Sequence, residues 1–262
     1  MKKLYKLIPV VLMGCASIYP ILNTSIKPEN VNVAAVSEAK AQFNDTTRAE
    51  NEVVETKSAF DLVIENTYNS LTSSSNSSLP SFKSFSKAFA AYYQLEQEGL
   101  VKNNILTVVD FSLSSTQKRL WVIDMVANKV ILNSLVSHGK NSGLDFATSF
   151  SNKVNSFQSS LGAYLTAEVY NGKHGLSLRL DGMDEDLNAK ARERAVVMHG
   201  ADYVSESFIK KEGRLGRSQG CPAVPFEVVS ELIDIVKDQS VLYIYHSSLD
   251  RYSDGFKSAL FS

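Results

Sequence analysis

Arg217-Ser218-Gln219-Gly220-Cys221-Pro222 is the stretch of this chain best suited to covalent chemistry, and Met198-His199-Gly200 lies upstream of it. Of two cysteines, Cys15 sits near the N-terminus, so Cys221 stands alone in the rest of the chain. The thiolate, not the thiol, is the nucleophile, and a partner imidazole both removes the proton and holds the charge. At an ordinary pKa of about 8.5, only a few per cent of a cysteine is ionised at neutral pH. Pairing with His199, the cations Arg214 and Arg217 nearby in sequence, and a tight polar turn from Ser218 to Cys221 would all raise that fraction. Gly220 permits a bend that aims successive N–H groups at one point, as an oxyanion requires, while Pro222 fixes the exit of the turn. The competing reading is a buried free cysteine packed as a small apolar side chain. Arg217, Ser218, Gln219 and Gly220 crowding in front of Cys221 favour the nucleophile. A lone histidine is more often structural, and His199 gains its standing from the pairing with Cys221.

The elements that must position these residues are readable from hydrophobic pattern. His199 ends the apolar run Ala195-Val196-Val197-Met198 and precedes Gly200, as a strand would that leaves a core at a cleft. Other strands are expected over 105–111, 119–126, 129–136, 161–170, 175–180 and 240–246. Ala127-Asn128 turns one pair, and Asn171-Gly172 is the turn signal in another. Short helices are expected over 186–194 and from Pro225, in a first helical turn, to Val236. Ahead of the strands, Val53, Phe60, Ile64, Tyr68 and Leu71, then Phe82, Phe85, Phe89, Tyr92 and Leu95, form two helical stripes, the second stopped by Gly99. The stripes read as a helical hairpin over 52–99, and their aromatic residues as core material. The fold class is therefore α+β: a mostly-β domain over 100–262 with an N-terminal helical hairpin.

With 262 residues and a formal net charge of −1, the chain shows no electrostatic commitment to nucleic acid. Its start, Met1-Lys2-Lys3-Leu4-Tyr5-Lys6 followed by an apolar run from Leu7 to Met13, reads as an export signal over 1–22 with a polar linker over 23–51. Leu12-Met13-Gly14-Cys15 also resembles a lipobox, in which Cys15 is the lipidation site; an ordinary cleaved signal is the alternative. A zinc reading of the histidines with Cys221 lacks Cys-x-x-Cys, His-Glu-x-x-His and any local ligand pair. Neither metal nor organic cofactor is expected.

Several blocks together carry a family resemblance: Val136-Ser137-His138-Gly139-Lys140, Ser159-Ser160-Leu161-Gly162, Lys173-His174-Gly175, Met198-His199-Gly200 and the segment from Arg217 to Pro222. In this order they resemble a YkuD-type L,D-transpeptidase of the branch with a Ser-x-Gly-Cys-Pro motif. The resemblance implies that Cys221 attacks a carbonyl of a peptidoglycan stem peptide, with His199 as base and then acid. It also implies that the Gly200 carbonyl orients His199, and that the amides of Gln219, Gly220 and Cys221 form an oxyanion hole. His138, His174, Ser160, Arg217 and Ser218 are the expected substrate-binding residues, with Ser160 in the place of the family's usual strand entry. Gln219 departs from the histidine of the better-studied branch, which removes a second imidazole but keeps the amide. Resolution of the acyl-enzyme by another stem gives a cross-link; resolution by water gives an L,D-carboxypeptidase. A different class is a non-catalytic, envelope-binding lipoprotein on the same fold. The implied setting is the periplasm or cell envelope, with membrane attachment only through a lipidated N-terminus, and the implied inhibitors are carbapenems.

Overall fold

The computed structural model describes residues 58–73 and 77–251. The expected signal over 1–22 with Cys15, the linker over 23–51 and the first residues of the helical region lie outside them.

Two capped helices come first. The Ser58 hydroxyl accepts from the Asp61 amide and the Asp61 carboxylate accepts from the Ser58 amide, a reciprocal box that starts α1 (Ala59–Asn69). Ser81 caps α2 (Phe82–Gln97) by accepting from the Ser84 amide. As expected, α2 stops at Gly99, whose φ of 72° lets Leu100 N–H reach the Leu95 carbonyl at 3.0 Å. The aromatic stripes meet each other: Phe60 contacts Phe89 and Tyr93, and Tyr68 contacts Phe82 and Phe85. Phe60, Phe85 and Phe89 are core, as the spacing predicts, with Tyr68 and Tyr93 partly buried against them, whereas Phe82 is exposed.

Among the described residues, nine strands form one mixed sheet: β1 (Thr72–Ser73), β2 (Ile105–Asp110), β3 (Leu120–Asp124), β4 (Lys129–Ser134), β5 (Gly162–Gly172), β6 (Gly175–Gly182), β7 (Val197–Gly200), β8 (Ala223–Val224) and β9 (Val241–Tyr245). Their spatial order is β1-β4-β3-β2-β9-β5-β6-β7-β8. The pairs β1–β4, β2–β9 and β7–β8 are parallel. Two further helices are α3 (Glu206–Glu212) and α4 (Phe226–Val236). α2 packs on β2 and β9, while α4 packs on β7, β6 and β2. Every residue of β2 and β9 is buried, Thr107 and Asp110 included, which explains why neither strand alternates apolar with polar residues.

The structure departs from the sequence reading at four places. Residues 186–194 form successive turns, not a helix. Asn188 lies buried inside them and donates to the Leu161 and Ala163 carbonyls while accepting from the Asp184 amide, bonds that pull the chain off a helical path. The β5–β6 turn is Lys173-His174, flanked by the pair Gly172–Gly175, so Asn171-Gly172 ends a strand and does not make the turn. Pro225 stands at the N-cap of α4, one position before the first turn. α3, capped by Ser205, carries no buried residue and so left no apolar stripe in the sequence.

Phe85 is fully buried and touches both Tyr68 and Phe89. Phe85→Ala is expected to lower stability by about 3–5 kcal/mol. A urea titration checks this; a loss below about 1 kcal/mol would mean that the helical pair adds little to the core.

Candidate active site

β7 delivers His199, and the turn ahead of β8 delivers Cys221. The two strands run parallel, with His199 opposite Ala223 and Gly200 opposite Val224. Two residues back along the same register, Cys221 comes beside Val197, whose amide hydrogen-bonds to the thiol. The Cys221 sulfur also lies 3.8 Å from the Ala195 carbonyl oxygen. Val197 and His199 are alternate residues of one strand, so they share a face and sit roughly 7 Å apart along it. Cys221 and His199 border one cleft of about 520 Å³, together with Lys173, His174, Arg194, Tyr203 and Arg217.

The His199 ring is held on two sides. Its Nδ1 lies 2.9 Å from the Gly200 carbonyl oxygen, which can only accept, so Nδ1 carries the proton and Nε2 keeps a free lone pair. The His174 ring, brought by the β5–β6 turn, stacks on it at 4.4 Å between centroids and 22° between planes. Burial holds the His199 pKa below the usual histidine value, and the charges of His174 and Lys173 push the same way. A neutral imidazole with an open Nε2 can accept a proton.

Burial likewise pushes the Cys221 thiol up, opposed by the Val197 amide and by the charges of Arg194 and Lys173. The resting sulfur is therefore a thiol whose ionisation depends on these neighbours.

The turn between the two strands is stapled by Ser218. Its hydroxyl donates to the Cys221 carbonyl at 2.6 Å and accepts from the Gly220 amide at 3.0 Å. This corrects the expected oxyanion set, because the Gly220 amide is spent inside the turn. Among the described residues the amides of Gln219 and Cys221 meet no protein acceptor. Gly220 has a φ of 122°, and a Cβ there would stand 2.8 Å from the Gln158 carbonyl oxygen. Glycine is thus demanded twice, by backbone sign and by space.

Other expected contacts fall elsewhere. His138 is not in the cleft: it is 1 % exposed, edge-on to Phe111, with Nδ1 accepting from Arg119 at 2.8 Å. Arg119 is fully buried and also donates to the Val136 and Leu113 carbonyls, so it braces the segment that pairs with the Ser218–Cys221 turn. Ser137 N–H bonds to the Ala223 carbonyl, and Ser218 N–H to the His138 carbonyl, across that seam. Ser160 is also buried; its hydroxyl accepts from Tyr164 and Arg194 and does not face substrate. Arg217 lines the cleft while donating to the Lys140 and Gly143 carbonyls. Ser218 lines it too, with its hydroxyl engaged in the turn. Arg179 lies over the Tyr170 ring, and His246 packs against Phe150. The sequence reading missed Arg194, Lys173 and Tyr203. For Arg194 the available signal was a cation directly ahead of the strand that carries His199.

Among the described residues, no group of three His, Cys, Asp or Glu side chains is arranged to hold a metal ion. Among the described residues no Asp or Glu lines the cleft, whereas Lys173, Arg194 and Arg217 do. The arrangement suits thiol attack on a carbonyl of an anionic substrate, with a neutral imidazole as base and two free amides for the developing oxyanion.

A family model described as the L,D-transpeptidase catalytic domain (YkuD_2) matches residues 76–245, a span that takes in α2. A comparison with curated proteins finds no match. Among solved structures, an L,D-transpeptidase from Mycobacterium smegmatis matches at 13% identity and a TM-score of 0.34, covering 54% of this chain and 58% of that one. The Ldtfm–avibactam carbamoyl enzyme matches at 16% identity and a TM-score of 0.32, covering 53% and 47% respectively. The helical cell shape determining protein Pgp2 from Campylobacter jejuni matches at 12% identity and a TM-score of 0.30, covering 55% and 44%. The chain spans about half the length of these solved structures, and at such TM-scores the likenesses carry no argument.

Burial, then the Arg119 charge, lowers the His138 pKa to about 4, against an unfolded value near 6.5. Between those values the unfolded chain binds the extra proton, so stability is complete above pH ~6.5 and falls as the pH drops through about 4. The His138 share of that loss is up to about 3 kcal/mol, and denaturant titrations at stepped pH should show His138→Gln losing less than wild type. A second expectation concerns the turn: Gly220→Ala should lower stability by about 1–3 kcal/mol and slow alkylation of Cys221. An unchanged alkylation rate would show that the turn geometry does not govern the thiol.

Proposed function

Because the chain belongs to the L,D-transpeptidase catalytic domain family, we propose that it is a cysteine-dependent acyltransferase acting on peptidoglycan stem peptides. In this reading His199 Nε2 takes the proton as the Cys221 sulfur attacks an L,D-peptide carbonyl, and the carbonyl π electrons move onto oxygen. The amides of Gln219 and Cys221 donate to that oxyanion. Collapse expels the amine of the terminal residue, which takes its proton from the His199 imidazolium, and leaves a thioester on Cys221. A side-chain amine of a second stem then attacks the thioester, giving the cross-link and returning the thiol. The cationic lining of Lys173, Arg194 and Arg217 suits a donor stem that carries a free carboxylate.

One observation supports this reading above the others: a neutral imidazole, with Nδ1 committed to Gly200, borders the same cleft as the thiol. The pattern from Met1 to Cys15 supports export to the periplasm or cell envelope, and lipidation of Cys15 belongs to the same proposal.

Intact mass after incubation with a carbapenem is expected to show one covalent adduct on wild type and none on Cys221→Ala. With defined muropeptides, dimer formation supports the transpeptidase, and trimming without dimers assigns the carboxypeptidase. Cys221→Ala should abolish turnover and His199→Ala should lower it about 10²–10⁴-fold. Absence of both adduct and turnover would overturn the enzymatic reading in favour of an envelope-binding protein.

A further inference from the structure

We propose that Arg194 is a positioning residue that acts through the nucleophile, bracing the outer side of the Gly220–Cys221 turn and supplying the positive charge against which the sulfur ionises. The proposal rests on reading Cys221 as the nucleophile.

The geometry places the guanidinium against the turn. A Cβ on Gly220 would stand 3.2 Å from Arg194 Nη2, and 2.8 Å from the Gln158 carbonyl oxygen that the same Nη2 bonds. Ala195, the next residue, presents its carbonyl to the Cys221 sulfur. Absence of a side chain at position 220 is what leaves room for the cation to approach.

Among the described residues, no carboxylate pairs with Arg194. It donates to the Ser151 carbonyl at 2.7 Å, the Ser160 hydroxyl at 3.0 Å, the Ser156 hydroxyl at 3.4 Å and the Gln158 carbonyl, all neutral acceptors. Arg192, two residues earlier, is held by the carboxylates of Asp181 and Glu168 on the surface. One arginine is neutralised by its partners; the other keeps its field for the cleft. Such a placement is stiff as well, because Tyr164 is buried and locks the Ser160 hydroxyl that Arg194 grips.

The other groups facing the sulfur do not replace it. Lys173 comes from the exposed β5–β6 turn, where solvent screens its charge. Arg217, just ahead of the Ser218–Cys221 turn, is directed toward the Lys140 and Gly143 carbonyls, and the cations that act on the Cys221 thiol are Arg194 and Lys173. His199 and His174, from β7 and the β5–β6 turn, form the stacked pair, and Tyr203 lines the cleft from the segment after β7. Among the described residues, no carboxylate lines the cleft to offset Arg194. Arg194 is the larger of the two cationic influences that lower the Cys221 pKa against burial.

The test is the rate of Cys221 alkylation by iodoacetamide in the full chain, followed from about pH 6 to 10, with Cys221→Ala as the blank. Arg194→Met and Arg194→Gln remove the charge, and the glutamine keeps amide donors for the Ser151 and Gln158 carbonyls. Either neutral variant is expected to move the alkylation midpoint up by about one pH unit and to slow the reaction at neutral pH about tenfold. Arg194→Lys, with charge but without the fork, should keep most of the wild-type midpoint. An unmoved midpoint in a folded neutral variant, or a lysine variant shifted as far as the neutral ones, would overturn the proposal. The readout needs no peptidoglycan. Turnover with an unmoved midpoint therefore sinks this inference alone, and a moved midpoint with no turnover on any stem sinks only the transpeptidase reading.

Discussion

The site depends on the pairing of β7 with β8, two residues wide and parallel. That register sets the thiol beside Val197 and the imidazole two residues further along the same face. A shift of one residue would turn the histidine to the opposite side of the sheet. So short a ladder cannot hold itself, and the hydrogen bonds around it explain why it persists. Ser137 N–H reaches the Ala223 carbonyl, Ser218 N–H the His138 carbonyl, and Lys140 N–H the Ser218 carbonyl. Behind that seam sits Arg119, buried, with its charge lying over Phe111 and its donors on Val136, Leu113 and His138. A buried cation is costly to place, and here hydrogen bonds to carbonyls offset the penalty while fixing the second wall of the Ser218–Cys221 turn.

Burial works against the chemistry it makes specific. The same desolvation that excludes water lifts the thiol and lowers the imidazole, so neither group is charged at rest. In the proposed mechanism a neutral pair needs proton transfer during attack, which puts weight on groups that welcome the charge once it forms. This also explains why Nδ1 of His199 is tied to the Gly200 carbonyl: an imidazolium gains from that bond, while the ring stays in the tautomer that can act as base.

Local signals made much of this legible in the sequence. The Ser218–Cys221 turn, the stop of α2 at Gly99 and the β3–β4 turn at Asn128 each depend on residues adjacent in the chain. Features decided by distant partners were not legible. Residues 186–194 have helix-forming composition, but Asn188 bonds to carbonyls 25 and 27 positions away, and those bonds win. His138, which the resemblance gives to substrate binding, is held in the core by Arg119, 19 positions earlier. The Gly220 amide looked free because only the folded turn brings the Ser218 hydroxyl onto it. Arg194 went unnoticed because its four acceptors lie 34 to 43 residues earlier.

Among the described residues Cys221 is the single cysteine, half-buried at the cleft wall. An oxidant that converts it to a sulfenic acid would meet no second described thiol with which to close a disulfide. The intermediate would stay exposed to further, irreversible oxidation until a reductant arrived from solution. The cleft that Cys221 borders would then decide how fast such a reductant can restore the sulfur.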